Sequence, residues 1–468
     1  MKLIGTGARI VDVAGAQTLA GAQLATAVTR EAEALAALPD GVLFARTAID
    51  LPSLLRYLGA FEAGRAIALL DPALDADALL TMIERFRPGA VLAAPDGEPP
   101  RGYVAKDGHW VRTEPGGERP HPELAVLLAT SGSTGTPHFV RLSRRAVLAN
   151  AHAIADVLAI GPDDAAPTTL PPHYSYGLSV VNSHLAKGAT VVVEASGILG
   201  RGFWTALTEH GCTSLAAVPY HYEMLRRLKF DPAAHPRLRR LTQAGGKMRP
   251  ELVEEFDAKM RAVGGGLYVM YGQTEAAPRM ATMPADRLAA KPDSVGPALP
   301  GGHFSIRLGD GSETTHPKIT GEIVYRGPNV MMGYAEDAAG LAAGDELDGV
   351  LATGDLGYLD EDGFLFVTGR LKRIGKVFGN RISLDDLEQA ARGTDLGIEI
   401  VAAVPCDDKI VLFAEITTGI AEDVCKQASR ALGERLHLHL SGFDVRPIDA
   451  VPLLASGKID YQTLTGLV

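Results

Sequence analysis

The sequence predicts an α/β protein: a large multi-layered N-terminal domain of sheets and helices (residues 1–370, with a β-rich subdomain over about 280–370) and a small α+β C-terminal domain (371–468). Three observations carry this expectation. Over roughly the first 280 residues, short continuous apolar runs alternate with apolar stripes at helical spacing, as in a parallel or mixed sheet covered on both faces. Beyond that point glycine and proline become denser and helical stripes scarce. After Gly369-Arg370 the pattern changes again, to strands and a helix within roughly 100 residues, an ordinary domain size.

Taken in order, Leu54, Leu55, Leu58 and Phe61 form a first helical stripe, followed by the strand run 66–70 and an Asp71-Pro72 breaker. Leu79, Met82, Ile83 and Phe86 fall at i, i+3, i+4 and i+7 on a second helix that Arg87-Pro88 ends. Residues 90–94 and 124–130 read as buried strands. The latter leads into a glycine loop and then a helix beginning near Ser143, with Val147, Ile154 and Leu158 on one face. Further strands are expected at 190–193, 213–218, 321–325, 398–404, 410–416 and 438–445, and a helix over 421–436.

The 468 residues are 46% apolar and 22% charged, which excludes wholesale disorder. A net charge of −11 argues against a general nucleic-acid binder, which needs a basic face. Cys212, Cys406 and Cys425 are odd in number and form no CxxC pair, so neither a disulfide scaffold nor a cysteine zinc site is expected. His437 and His439, alternating on the strand expected there, make no zinc set and read as solvated or half-buried. No apolar run is long enough to span a membrane, and the first residues lack a signal-peptide core; a cytoplasmic protein is expected.

The most informative segment is Thr130-Ser131-Gly132-Ser133-Thr134-Gly135, followed by Thr136-Pro137. Two glycines let a ligand approach the backbone closely, and four hydroxyls add donors to the N–H groups, a composition suited to phosphate oxygens. It is neither a Walker A loop nor a GxSxG elbow. Three more clusters follow: Tyr271-Gly272-Gln273-Thr274-Glu275; Thr353-Gly354-Asp355 with Gly369-Arg370; and Pro452 with Ser456-Gly457-Lys458. In kind, order and approximate spacing the four resemble the adenylate-forming superfamily of acyl- and aryl-CoA synthetases, adenylation domains and luciferases, over nearly the whole chain.

The resemblance implies ATP, Mg²⁺ and CoA (or a phosphopantetheine) as cofactors and co-substrates. It places Thr130 to Gly135 around the β- and γ-phosphates, Thr274 beside the α-phosphate and Glu275 on Mg²⁺. Gln243-Ala244-Gly245-Gly246 resembles the adenine-side strand, and Asp355 and Arg370 match the ribose carboxylate and its neighbouring cation. Lys458 corresponds to the lysine that bridges the substrate carboxylate and the α-phosphate, where a point cation stabilises crowded anions. Lys372 matches the hinge about which a mobile C-terminal domain rotates, and Gly379 lies on the face presented to a pantetheine arm. Pro171-Pro172-His173-Tyr174-Ser175-Tyr176 matches an element whose histidine lines the acyl site, and Tyr220 follows in a flanking segment. The tyrosines favour a ring or flat acyl group by contact area. Lys247 is a candidate for a second polar group on the substrate.

Three departures from the family pattern stand out. His138 follows Pro137 where a lysine is usual, which removes a cation from the pyrophosphate side. The segment before the loop is only about 130 residues long, so some N-terminal elements are expected to be missing or compressed. Arg373 stands where an acidic residue is usual after the hinge. The implied activity is ATP-dependent activation of a carboxylic acid followed by transfer to a thiol, most readily CoA. Transfer to an acyl carrier protein or an amine shares every motif, and His138 makes a non-catalytic nucleotide-binding relative conceivable.

Overall fold

A computed structural model describes residues 1–114, 117–130, 138–371, 373–378, 380–394, 396–407, 409–454 and 459–468. The chain divides into two compact units, Met1–His303 with Tyr325–Leu351, and Phe304–Val324 with Ala352–Val468.

An eight-stranded sheet anchors the first unit, and its inner strands Leu43–Arg46, Ile67–Leu70, Ala90–Leu92 and Leu124–Thr130 run parallel. The intervening helices start and stop where local chemistry dictates. Asp50 accepts a hydrogen bond from Ser53 N at 2.7 Å to cap Leu51–Ala63, and Gly64 ends that helix at φ 69°. Asp75 caps Ala76–Phe86, whose expected stripe is buried throughout. Phe86 packs edge-on against Phe139 at 4.9 Å between ring centroids, joining helix to sheet. Two four-stranded sheets complete the unit. One joins Ala165–Pro167, Thr190–Val193, Arg9–Asp12 and Gln17–Ala20. The other sets Ser214–Ala217, Arg240–Gln243 and Gly266–Gly272 in parallel, with Arg279–Thr282 antiparallel at its edge.

The helix expected to begin near Ser143 forms, but a strand that the sequence reading did not foresee precedes it. A strand, His138–Ser143, comes first and pairs antiparallel with Leu124–Thr130; the helix Arg144–Val157 follows, with Ser143 Oγ accepting from Ala146 N at 3.0 Å. Arg141 hides this strand from a hydropathy pattern. It is fully buried because carbonyl oxygens of Met332, Tyr334 and Gly344, and the Glu346 carboxylate at 2.9 Å, satisfy its guanidinium.

A five-stranded sheet, most of whose residues belong to the second unit, runs in the order Glu313–Thr314, His303–Arg307, Gly321–Arg326, Val350–Leu359, Leu365–Arg370. The second unit also holds the hairpin Ile374–Val377 with Asn380–Ser383, and a three-stranded sheet of Ile398–Cys406, Lys409–Ile416 and Phe443–Pro447. Helices Leu384–Arg392 and Ala421–Leu436 pack on that sheet through Leu387, Ala391, Ala428 and Leu432. The strand expected at 438–445 is displaced. His437 ends the preceding helix in a left-handed conformation at φ 53°, and His439 caps a 3-10 turn, Leu440–Gly442, by accepting from Ser441 N. The alternating His-Leu-His-Leu pattern imitates a strand, but its histidines serve a helix stop and a turn, and both are exposed.

Candidate active site

Parallel strands deliver their C-terminal ends to one edge of a sheet, the usual place for ligands in α/β folds. In the third sheet of the first unit, three sequence clusters arrive at such an edge. Val218-Pro219-Tyr220 follows the first strand, Ala244-Gly245-Gly246 the second, and Gln273-Thr274-Glu275 the third. Gln243 Nε2 donates to Gly246 O at 2.7 Å and holds the glycine turn, where Gly245 sits at φ 89°. Gly272 is required by close approach: a Cβ there would lie 1.9 Å from Pro278 O. Lys247, just beyond, is exposed.

Thr274 opens a 3-10 turn, and its Oγ1 lies 3.0 Å from Ser175 Oγ at the start of the helix Ser175–Ala186. The expected phosphate-side threonine and the expected acyl-side segment are thus in direct contact. Glu275, next along, receives a hydrogen bond from Tyr334 Oη at 2.8 Å on Oε1, and its carbonyl accepts from Met331 N at 2.9 Å. No cation among the described residues pairs with it. A carboxylate oriented by a neutral phenol, rather than neutralised by a cation, suits a hard metal ion that shares its remaining ligands with phosphates and water. No group of three or more histidine, cysteine, aspartate or glutamate side chains among the described residues could hold a metal alone. His138 leans edge-on against Tyr334 at 4.7 Å, so the residue standing in for the usual lysine touches the support of Glu275.

His173 sits above the first sheet. Its Nδ1 donates to Thr47 O at 2.9 Å, and its Nε2 lies 3.6 Å from Asp71, beyond the ends of Leu43–Arg46 and Ile67–Leu70. Tyr176 is buried, its hydroxyl 2.8 Å from Thr242 Oγ1 and 2.9 Å from Thr242 O, and burial pushes its phenol up to about 12. Tyr174 and Tyr220, both partly buried, pack against the apolar cluster of Tyr176, Ala216, Ala244 and Met270. Tyr174 meets the Tyr176 ring edge-on at 6.3 Å. The structure therefore gathers Tyr174, Tyr176 and Tyr220 around one cluster below the strand edge, with Tyr176 fixed as part of its floor.

In the second unit, Asp355 and Arg370 face each other across paired strands, Arg370 Nε 3.2 Å from Asp355 Oδ1. The carboxylate is buried while the guanidinium is largely exposed. Thr353 Oγ1 accepts from Asp355 N at 3.1 Å and donates to Ile323 O at 2.7 Å, and Glu322 accepts from Gly354 N, so the turn is held from both sides. Arg373 does not face solvent. Its guanidinium lies 2.6 Å from the buried Glu388 and 2.7 Å from Asp385, and stacks on Tyr461 at 3.8 Å, a fixture of this unit's core.

Ser131, Gly132, Ser133, Thr134, Gly135, Pro137, Lys372, Gly379, Ser456, Gly457 and Lys458 lie outside the described residues, as does the side chain of Thr130. Sequence reasoning missed Tyr334, Asn150, Asn329 and Arg279. Asn150 pairs with both backbone groups of Arg279, at 3.2 and 2.7 Å, and Asn329 donates to Ala276 O and Arg279 O. These contacts cross 50 to 129 residues of sequence, and no local motif announces them.

Comparison with known proteins identifies the family. The profile of the AMP-binding enzyme family matches residues 6–335. Curated relatives include an oxalate–CoA ligase of Arabidopsis thaliana, 29% identical over 73% of this chain and 67% of the relative. A sulfoacetate–CoA ligase of Cupriavidus necator is 32% identical over 58% and 52%, and an indoleacetate–CoA ligase of Aromatoleum aromaticum 32% over 62% and 57%. The chain thus spans between about half and two thirds of these relatives. Among solved structures, o-succinylbenzoate CoA synthetase of Bacillus subtilis superimposes with a TM-score of 0.78 at 21% identity, covering 99% of this chain and 95% of the other. ATP-bound MatB of Rhodopseudomonas palustris gives 0.80 at 22%, covering 100% and 97%, which leaves little of either fold without a counterpart. The chain belongs to the AMP-binding enzymes, the adenylate-forming superfamily whose motifs its sequence carries.

Proposed function

We propose that this protein is an AMP-forming acid–thiol ligase. A carboxylate oxygen attacks the α-phosphorus of ATP and pyrophosphate leaves; a thiol, most readily that of CoA, then attacks the acyl carbonyl and AMP leaves. The observation that carries the reading is the 3.0 Å contact between Ser175 and Thr274, because it joins the acyl-side helix to the phosphate-side turn where a carboxyl and a phosphorus must meet.

The residues take these roles. Thr274 donates to an α-phosphate oxygen, and the backbone around Gly245-Gly246 and Tyr271-Gly272-Gln273 offers a flat floor for adenine. Glu275 would hold Mg²⁺, which when bound screens the phosphate charges. Asp355, with Arg370 beside it, accepts the ribose hydroxyls, and Thr130 to Gly135 receive the departing phosphates. Lys458 supplies the ammonium that bridges the two anions as the new bond forms. His173, Tyr174, Tyr176 and Tyr220 border the acyl group, with Lys247 near the entrance. On the motif at Gly369-Arg370 we assign Lys372 as the hinge of a moving segment, 371–468, that exchanges the first half-reaction for the second. Among the described residues no helix is long and apolar enough to cross a membrane, and Cys212, Cys406 and Cys425 are unpaired, which supports a reducing, cytoplasmic setting.

The test is product analysis. With ATP, Mg²⁺ and CoA, a panel of acids including oxalate, sulfoacetate and aryl acetates should yield AMP and an acyl-CoA in equal amounts. An adenylate that accumulates and passes only to a carrier protein or an amine would redirect the second step. ADP as product would overturn the reading.

A further inference from the structure

A cavity of about 360 Å³ lies in the first unit, where the helices Gly21–Ala36 and Leu51–Ala63 meet the strands Gln17–Ala20 and His109–Arg112. That volume is within the range of small-molecule sites. Part of its wall is apolar, formed by the buried Leu19 and Leu51 and the half-buried Leu55. None of the described residues given a role in the reaction lines it.

Its ionisable groups do not cancel. Arg30 projects from the first helix and Arg56 from the second, and neither pairs with a carboxylate among the described residues. A lone exposed arginine is ordinarily a solvated charge. Two of them on neighbouring helices around one concavity concentrate positive potential there. Glu31 is the one carboxylate among the described residues that line the cavity. Its stem is pressed against the second helix at Gly59, where a Cβ would lie 2.8 Å from Glu31 Cγ, so the two helices hold the wall rigidly. His109 Nδ1 accepts from Ala93 N at 3.1 Å, which leaves the imidazole proton on Nε2 as a further donor. Burial, reinforced by the nearby Arg56, lowers the pKa of this imidazole and keeps it neutral. Two arginines against one glutamate therefore leave the cavity with one net positive charge beside an apolar wall.

We propose that this cavity is a second, non-catalytic binding site for a small organic acid, with one carboxylate received by Arg30 and Arg56 and an apolar body laid against Leu19, Leu51 and Leu55. The planar guanidinium fork matches a carboxylate and forms charge-assisted hydrogen bonds with it. The single net charge suits a monoanion, and the apolar wall rewards a hydrocarbon chain or ring over a bare inorganic ion. Binding here is independent of the ligase reading.

Calorimetric titration of the full-length protein tests it, with octanoate and phenylacetate as probes and octanamide and phenylacetamide as their neutral counterparts. At least one acid should bind saturably below about 1 mM, and about tenfold or more tightly than its amide. Arg30→Met and Arg56→Met should each weaken that acid by about tenfold while leaving the amide unchanged. Ala27→Trp, which fills the cavity from the first helix, should abolish the event for acid and amide alike. Arg30 is exposed, so Arg30→Met keeps the test open if a variant at a half-buried position does not fold. Equal affinity for acid and amide, or no saturable binding of either acid, overturns the proposal. Binding that the folded variants leave intact also overturns it, by placing the acid elsewhere. Pyrophosphate exchange should persist in all three variants; its loss together with binding would make the cavity part of the catalytic site and defeat the assignment of a separate one. Absence of exchange in the wild-type protein bears on the ligase reading alone.

Discussion

His138 shows how one residue redistributes binding and chemistry. An imidazole beside a loop suited to phosphates lacks the permanent charge of the usual ammonium, so on the proposed mechanism the exchange affects capture of ATP more than the bond-making step. Its ring contact with Tyr334, which in turn orients Glu275, ties it to the carboxylate proposed to hold Mg²⁺. His138→Lys should lower the KM for ATP by up to about tenfold, worth ~1.4 kcal/mol, with a smaller change in kcat. An unchanged KM would count against this account. Glu275 itself was legible in the sequence because its motif is contiguous. Tyr334 was not, because it meets Glu275 from a separate strand 59 residues away. Arg279 was hidden for a different reason. An arginine in an edge strand ordinarily reads as solvent-facing, and only its placement over Tyr176 reveals that it is buried.

At the scale of elements, the parallel strands were the most readable feature, since continuous apolar runs bounded by breakers admit few alternatives. The misjudged elements contain polar residues with structural tasks, as Arg141 shows within a strand and His437 at a helix stop. Arg240 is a third case. It opens the strand Arg240–Gln243, and its guanidinium pairs with Asp164 at 2.7 Å, while Thr213 and Gly161 also donate to that carboxylate. The network joins the strand carrying Gly245-Gly246 to the loop before Ala165–Pro167. Removing one partner strands a mostly buried charge, so Arg240→Ala should destabilise the first unit by about 3–5 kcal/mol. A denaturant midpoint unchanged from wild type would show that the pair is dispensable. Because the site hangs on strand ends, activity at low temperature should survive this variant better than stability does.

The whole molecule should respond to acid through its buried histidines. Burial lowers His184 from 6.5 to about 4, and His221, only partly shielded, is also pushed down to about 4. Between those values the unfolded chain binds more protons than the folded one, so stability falls as pH drops from about 6.5 toward 4. For His184 the loss is on the order of 3 kcal/mol at most, and His221 adds less because solvent reaches it. Melting temperature should therefore decline over that window, and His184→Asn, which keeps a donor toward Val180, should flatten the decline; an identical slope in both proteins would refute the assignment. On the proposed mechanism a carboxylic acid and ATP are joined with the help of the Lys458 ammonium. Acid-dependent exchange of labelled pyrophosphate into ATP tests it most directly, with wild-type protein beside Lys458→Ala. We expect exchange with at least one acid, reduced by about 100-fold or more in a variant whose circular dichroism and melting temperature match wild type. Exchange undiminished by the substitution, or none with any acid in well-folded wild-type protein, would contradict the account.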